Sequence, residues 1–164
     1  MIEQLNSKEA DSKPDGYTLL PTVRVTHDEL SGLVAKWLKR HSQNILIPNC
    51  ATVAVDMKTI EQEKPDVIGW NGCSSTMIEV KVGRGDFLQD FKKPFRQICE
   101  KGVGQFRYYC CPSGLIQENE IPSKWGLLYL NDKNKIEIIK VAEIQEANLH
   151  AERNMLISLL RRKK

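Results

Sequence analysis

The sequence predicts an α/β domain built around a mixed central sheet. Apolar residues switch between helical and strand spacing along the chain, and sharp turn signals separate the segments. Their order is helix, three strands, helix and strand, followed by a C-terminal hairpin and a final helix. At 164 residues the chain is long enough to bury a core as one domain. That domain is placed at residues 23–164, behind a polar leader over 1–22 that closes on a Leu-Pro step.

Thr26 and Glu29 form a capping-box pattern, and Leu30, Val34, Trp37 and Leu38 follow on one helical face. Over 50–58, Val53 and Val55 alternate with Ala54 and Asp56, which predicts a strand. Two more strands are predicted over 67–70 and 76–82, with the turn signal Asn71-Gly72 between them. Gly83-Arg84-Gly85 breaks the chain, and Asp86 is read as the N-cap of a helix through 93. Pro94 then kinks that helix or opens a new one ending near Gly102. Residues 105–111, rich in Phe and Tyr, predict the next strand, with Tyr108 and Tyr109 on opposite faces. One of these tyrosines is expected in the core, the other within reach of a ligand. Segments 126–130 and 135–140 read as a hairpin across Asn131-Asp132-Lys133-Asn134. The last helix sets Ala151, Met155 and Leu159 beside Leu149, Leu156 and Leu160. Trp37, Trp70 and Trp125 read as packing residues.

Bulk charge is uninformative at +3, but its distribution is not. Between Arg84 and Arg107 six basic residues face three acids, a surplus equal to that of the whole chain. Lys92, Lys93 and Arg96 within that stretch, with Arg84 before them, are candidate phosphate contacts, and residues 161–164 form a second basic cluster. The five cysteines contain no C-x-x-C pair and support neither a zinc site nor a disulfide framework. No apolar run reaches the length of a membrane span, so the chain reads as soluble and cytoplasmic. His27, His41 and His150 lack ligand spacing and receive no role.

The chemistry concentrates in Pro65-Asp66 and Glu79-Val80-Lys81. Residues two apart on a strand share a face, so Glu79 and Lys81 point together and Val80 points to the opposite layer. Whether Asp66 joins them depends on the hairpin loop. A loop of Asn71-Gly72 alone pairs Asp66 with Met77 and leaves Glu79 diagonal at roughly 7–8 Å. A loop running through Ser74 puts Asp66 opposite Glu79 at about 5 Å. Either even-length loop gathers the three side chains; an odd one scatters them. Two carboxylates on one face, aided by the Val80 carbonyl, make a hard-oxygen site suited to Mg2+ or Mn2+. An ion there can activate water and offset charge building on a phosphate, with Lys81 as a nearby point charge. The plain alternative is a solvated strand edge with a weak ion pair. Acid-x-Lys also occurs at Asp11-Ser12-Lys13, Asp56-Met57-Lys58 and Asp90-Phe91-Lys92.

These residues resemble the PD-(D/E)XK nuclease superfamily, whose signature is an acid at a strand start followed by acid-x-Lys on the next strand. The run from Glu79 to Phe87, with Asp90 and Lys92 after it, is similar to a branch of small bacterial and phage proteins that includes the MmcB-like DNA-repair proteins. Pro112-Ser113-Gly114-Leu115-Ile116 and Gly126-Leu127-Leu128 have counterparts in that branch too. The likeness covers about residues 26–140. It implies a restriction-endonuclease-like core and metal-dependent cleavage of DNA in repair or phage DNA metabolism. Asp66 and Glu79 would be its ligands and Lys81 its catalytic lysine. Arg84 stands where small polar residues are expected. Glu29 is a further candidate ligand, although the capping box already accounts for it, and Asp86 is a candidate outer neighbour of Lys81. The rivals are a DNA-binding module of the same fold without turnover, and a protein-interaction domain of a repair or phage assembly. A homodimer would suit a double-strand cut, and no motif requires one.

Overall fold

The computed structural model describes residues 24–40, 47, 49–57 and 59–162. The leader 1–22, His41, Lys58 and the last two residues of the basic C-terminus lie outside the described residues. Helix α1 (His27–Arg40) is followed by strands β1 (Thr52–Val55), β2 (Val67–Trp70) and β3 (Ser75–Val80). Helices α2 (Arg84–Asp90) and α3 (Pro94–Gln97) and a 3-10 turn (Cys99–Lys101) lead into β4 (Phe106–Pro112). A second 3-10 turn (Glu118–Glu120), the hairpin β5 (Gly126–Leu130) and β6 (Ile136–Lys140), and α4 (Leu149–Arg162) complete the chain. The strands lie in sequence order in one six-stranded sheet. β1, β2 and β3 pair antiparallel, β3, β4 and β5 pair parallel, and β5 and β6 antiparallel. The result is a mixed α/β fold.

Each sheet face carries its own core. On one, Leu30, Val34 and Leu38 of α1 pack on Val67, Ile78, Val80, Tyr108 and Leu128. Gly69 is what lets α1 lie this close: an added Cβ would stand 2.8 Å from Leu38 and 2.7 Å from Cys50. On the other face, Phe87 of α2 and Ala151 and Met155 of α4 pack on Ile68, Trp70, Met77, Tyr109 and Leu127. Glu152 fastens α4 to the sheet. Its carboxylate is buried and accepts from Trp70 Nε1 at 3.0 Å, Ser75 Oγ at 2.9 Å and the Gly104 N–H at 2.8 Å. Gly104 makes that turn with φ +84, where a Cβ would also run into Met77.

Several elements differ from the expectation. β1 is shorter than 50–58, because Asp56 takes a left-handed φ of +44 and turns the chain. α2 starts at Arg84 with Gly83 as its cap, so Asp86 falls inside the first turn and is not the N-cap. The segment after Pro94 is not one helix, since Ile98 is extended (φ −123) between α3 and the 3-10 turn. That break presents the carbonyls of Cys99 and Gly102 to the guanidinium of Arg107, which donates to them at 2.6 and 3.1 Å. Tyr109 and Tyr108 are both core residues. Tyr109 donates to Asp90 at 2.7 Å, and the Tyr108 hydroxyl accepts from the Ala142 N–H at 3.1 Å. No helix among the described residues is long and apolar enough to cross a membrane.

Candidate active site

Asn71 decides the hairpin register. Its side-chain oxygen accepts the N–H groups of Cys73 and Ser74, each at 2.8 Å, so the loop spans four residues. Trp70 therefore pairs with Ser75 and Val67 with Ile78, and one more step sets Asp66 across from Glu79. Asp66 Oδ2 accepts the Val80 N–H at 2.7 Å. Glu79 shares its face with Met77 and lies in register with Tyr109 of β4. Lys81 continues that face past the end of β3, its N–H bonded to the Cys110 carbonyl at 2.9 Å. The longer of the two loops considered is the one observed.

Around Glu79 and Lys81 lies a buried ion network. Lys81 Nζ is 3.3 Å from Glu79, 3.6 Å from Asp90 and 3.7 Å from Asp86. Arg96 joins the same acids from α3: Nη2 is 2.8 Å from Glu79 Oε1 and Nε 2.6 Å from Asp90 Oδ2. It also pairs with Glu63, whose carboxylate bonds in turn to the Val103 N–H. The side chains of Glu79, Lys81 and Arg96 are only 3%, 4% and 1% exposed. Charges this deep are stable only when paired.

Burial pushes Glu79 up to about 7; Arg96 and Lys81 counter it, whereas the charge of Asp66 adds to it. Burial alone would lower Lys81, yet Glu79 and Asp90 outweigh it and hold the amine above its ordinary value. Asp90 goes the other way. Against the effect of burial, the charge and hydrogen bonds of Arg96 hold it well below the usual carboxylate range. An acid raised from its ordinary 4.5 to about 7 binds a proton in the fold that the unfolded chain has released. Its contribution is full below about pH 4.5 and is lost as pH rises through 7. Without metal, stability should therefore decline between pH 5 and 8, and Glu79→Gln should flatten that decline. Urea denaturation across this range measures it; parallel profiles for the two proteins would mean that Glu79 is ionised throughout. Asp90 contributes an opposite slope, confined to pH values below its ordinary 3.8.

The other predicted residues divide sharply. Arg96 does not face solvent and is not free to track a DNA backbone, because three acids hold it inside. Lys93 is half exposed but lies 2.6 Å from Asp90. Arg84 is exposed and donates to Glu120 and, at 3.1 Å, to the Leu115 carbonyl. Lys92 is exposed. With Arg107 buried as well, the basic stretch offers less surface charge than its composition implies. Glu29 closes the capping box, accepting from the Thr26 N–H at 2.9 Å and returning its own N–H to Thr26 Oγ1 at 3.3 Å. Its carboxylate serves the helix end. Asp86 neighbours Lys81, as expected of it.

Three residues, Glu63, Asp90 and His27, were missed, whereas Asp56 reads from the sequence as an exposed strand residue or an outer neighbour of the site. Glu63 and Asp90 are the remaining acids of the network, and neither carries a local signal beyond Asp90 standing in an acid-x-Lys step. His27 and Asp56 flank Asp66: His27 Nε2 is 3.2 Å from Asp66 Oδ2, and the Asp56 N–H donates to the Asp66 carbonyl at 2.9 Å. His27, Asp56 and Asp66 place ligand atoms within 4.8 Å of one another. The other such group among the described residues, Cys99, Glu100 and Glu146, contains none of the three predicted residues. Separations of this order are compatible with ligands that each stand about 2.1–2.6 Å from one divalent ion. Glu79 is less open, with Oε1 on Arg96 and Oε2 on Lys81.

No protein-family profile matches the chain, and no curated protein matches it. Among solved structures it is similar to SPO1766, a protein of unknown function from Silicibacter pomeroyi. The two share 21% identity and a TM-score of 0.59 over 88% of this chain and 90% of that one. What they share is the fold. The mixed α/β arrangement thus extends over nearly the whole of both chains.

Proposed function

We propose that the chain is a divalent-metal-dependent DNA phosphodiester hydrolase of the restriction-endonuclease-like kind, with Asp66, Glu79 and Lys81 at its centre. The observation that carries the reading is the hairpin register: a four-residue loop sets Asp66 opposite Glu79, while Lys81 closes on Glu79 at 3.3 Å. Asp66 and Glu79, with the neighbouring Val80 carbonyl, would hold the ion. When bound, Mg2+ or Mn2+ supplies positive charge against the charge that builds on the phosphate. Lys81 is cationic throughout the physiological range, so it acts as a donor and point charge toward a phosphate oxygen and not as a base. Arg96 and Asp90 hold Glu79 and Lys81 in place from behind. Lys92, and Lys93 beside Asp90, are the proposed contacts to the DNA backbone, with Arg84 at their edge.

A second reading has one observation in its favour. Both oxygens of Glu79 already accept from cations, which suits a fold that keeps DNA affinity without turnover. A cleavage panel separates the two. Single-stranded, branched and duplex DNA are incubated with Mg2+, Mn2+ or EDTA. Hydrolysis is expected with metal and none with EDTA, with no covalent protein–DNA adduct. No cleavage in either metal, beside binding that weakens steeply with salt, would decide for the second reading.

A further inference from the structure

Asp56 and Asp66 stand apart from the other acids around the site. Glu63, Glu79 and Asp90 each lie against Arg96, Lys81 or Lys93. Among the described residues, no lysine or arginine nitrogen comes within 4 Å of Asp56 or Asp66. Among the described residues their one neighbour with a nitrogen ligand is His27, brought from the opposite layer by the start of α1. That helix end is fixed by the Thr26–Glu29 capping box, so the imidazole is delivered by a rigid element. Asp56 is delivered as firmly, because its N–H is bonded to the Asp66 carbonyl at the end of the β1–β2 ladder. Asp66 remains 18% and His27 35% exposed, which leaves the group open to an ion from solvent.

We propose that His27 and Asp56 add one imidazole and one carboxylate to the shell that Asp66 and Glu79 would form, so that the site takes Mn2+ in preference to Mg2+. The inference rests on the metal-dependent reading above and extends it to two residues and to the identity of the ion. Mg2+ favours all-oxygen shells and holds its waters; an imidazole nitrogen shifts preference toward first-row transition ions. A partly open cluster on Asp66 also leaves coordination positions for water or a phosphate oxygen on its outer side.

The test needs no DNA. The full chain is titrated with Mn2+, and the free aqua-ion signal is followed by electron paramagnetic resonance, with Mg2+ as competitor. The wild-type protein should bind Mn2+, and Mg2+ should displace it only at a concentration about tenfold higher or more. His27→Gln and Asp56→Asn should each weaken Mn2+ binding by about tenfold or more. His27→Gln should also narrow the preference over Mg2+. Circular dichroism establishes that both variants fold; Glu79→Gln serves as the comparison from the inner side of the site. Wild-type affinity in both variants, with binding lost in Asp66→Asn, would overturn the inference while leaving metal dependence standing. No Mn2+ binding by the wild-type protein would remove both. Binding that requires His27 and Asp56, in a protein that cleaves no DNA, would sustain the shell and remove the nuclease reading.

Discussion

Replacing Lys81 by methionine is expected to lower DNA cleavage by about 10²–10³-fold, the usual effect of removing a single charge-stabilising donor. Methionine keeps the length and apolar stem of the side chain, so the buried space stays filled. What it removes is the ammonium 3.3 Å from Glu79 and 3.6 Å from Asp90. Arg96 continues to hold both acids, so the fold should survive, as far-ultraviolet circular dichroism and Mn2+ binding can show. Loss of cleavage with metal affinity retained separates the role of the lysine from that of the ligands. Undiminished cleavage by Lys81→Met would remove Lys81 from the reaction.

The largest structural effect is expected at Arg96. Arg96→Met leaves Glu63, Glu79 and Asp90 buried without their common cation, a loss of about 3–5 kcal/mol by analogy with other broken buried pairs. In a domain of this size that corresponds to a fall in Tm of roughly 10 °C. The loss should shrink toward pH 5, where the acids take up protons and no longer need the guanidinium. Thermal unfolding at pH 5 and pH 8 reads both effects. A loss below about 1 kcal/mol at pH 8 would class these contacts with solvated surface pairs.

The order of elements was legible because each has a local signal: the capping box before α1, alternation in β1, the turn residues of the two hairpins. Hairpin geometry likewise carried the convergence of Asp66, Glu79 and Lys81 as far as two candidate registers. Choosing between them depended on Asn71 accepting two backbone N–H groups, a contact that a turn dipeptide does not specify. Arg96 was misread for a physical reason. An arginine near two lysines has the composition of a solvated face, and only the arrangement of Glu63, Glu79 and Asp90 turns it inward. Glu63 is distant in sequence from both partners, and no spacing rule reaches it. His27 was passed over because ligand spacing is sought along one segment, whereas its neighbour Asp66 stands just ahead of β2, with the rest of α1 and β1 between them in sequence. Glu152 received no reading for the same reason, since its partners Trp70, Ser75 and Gly104 lie far from it along the chain.

The segment bearing Arg96 is also the crossover that joins two parallel strands, β3 and β4. The hairpin β2–β3 closes over four residues and can form on its own within microseconds. Pairing Thr76 with Phe106 has to wait until the twenty-nine residues between them have been gathered in, a slower event. Loop closure therefore favours an order in which Glu79 and Lys81 are set on a solvated hairpin first. Their hydration is stripped only when the crossover docks, and the same docking delivers the guanidinium that replaces it. In that order the chain does not have to hold naked acids in its interior, because the step that dries them also brings Arg96 to them.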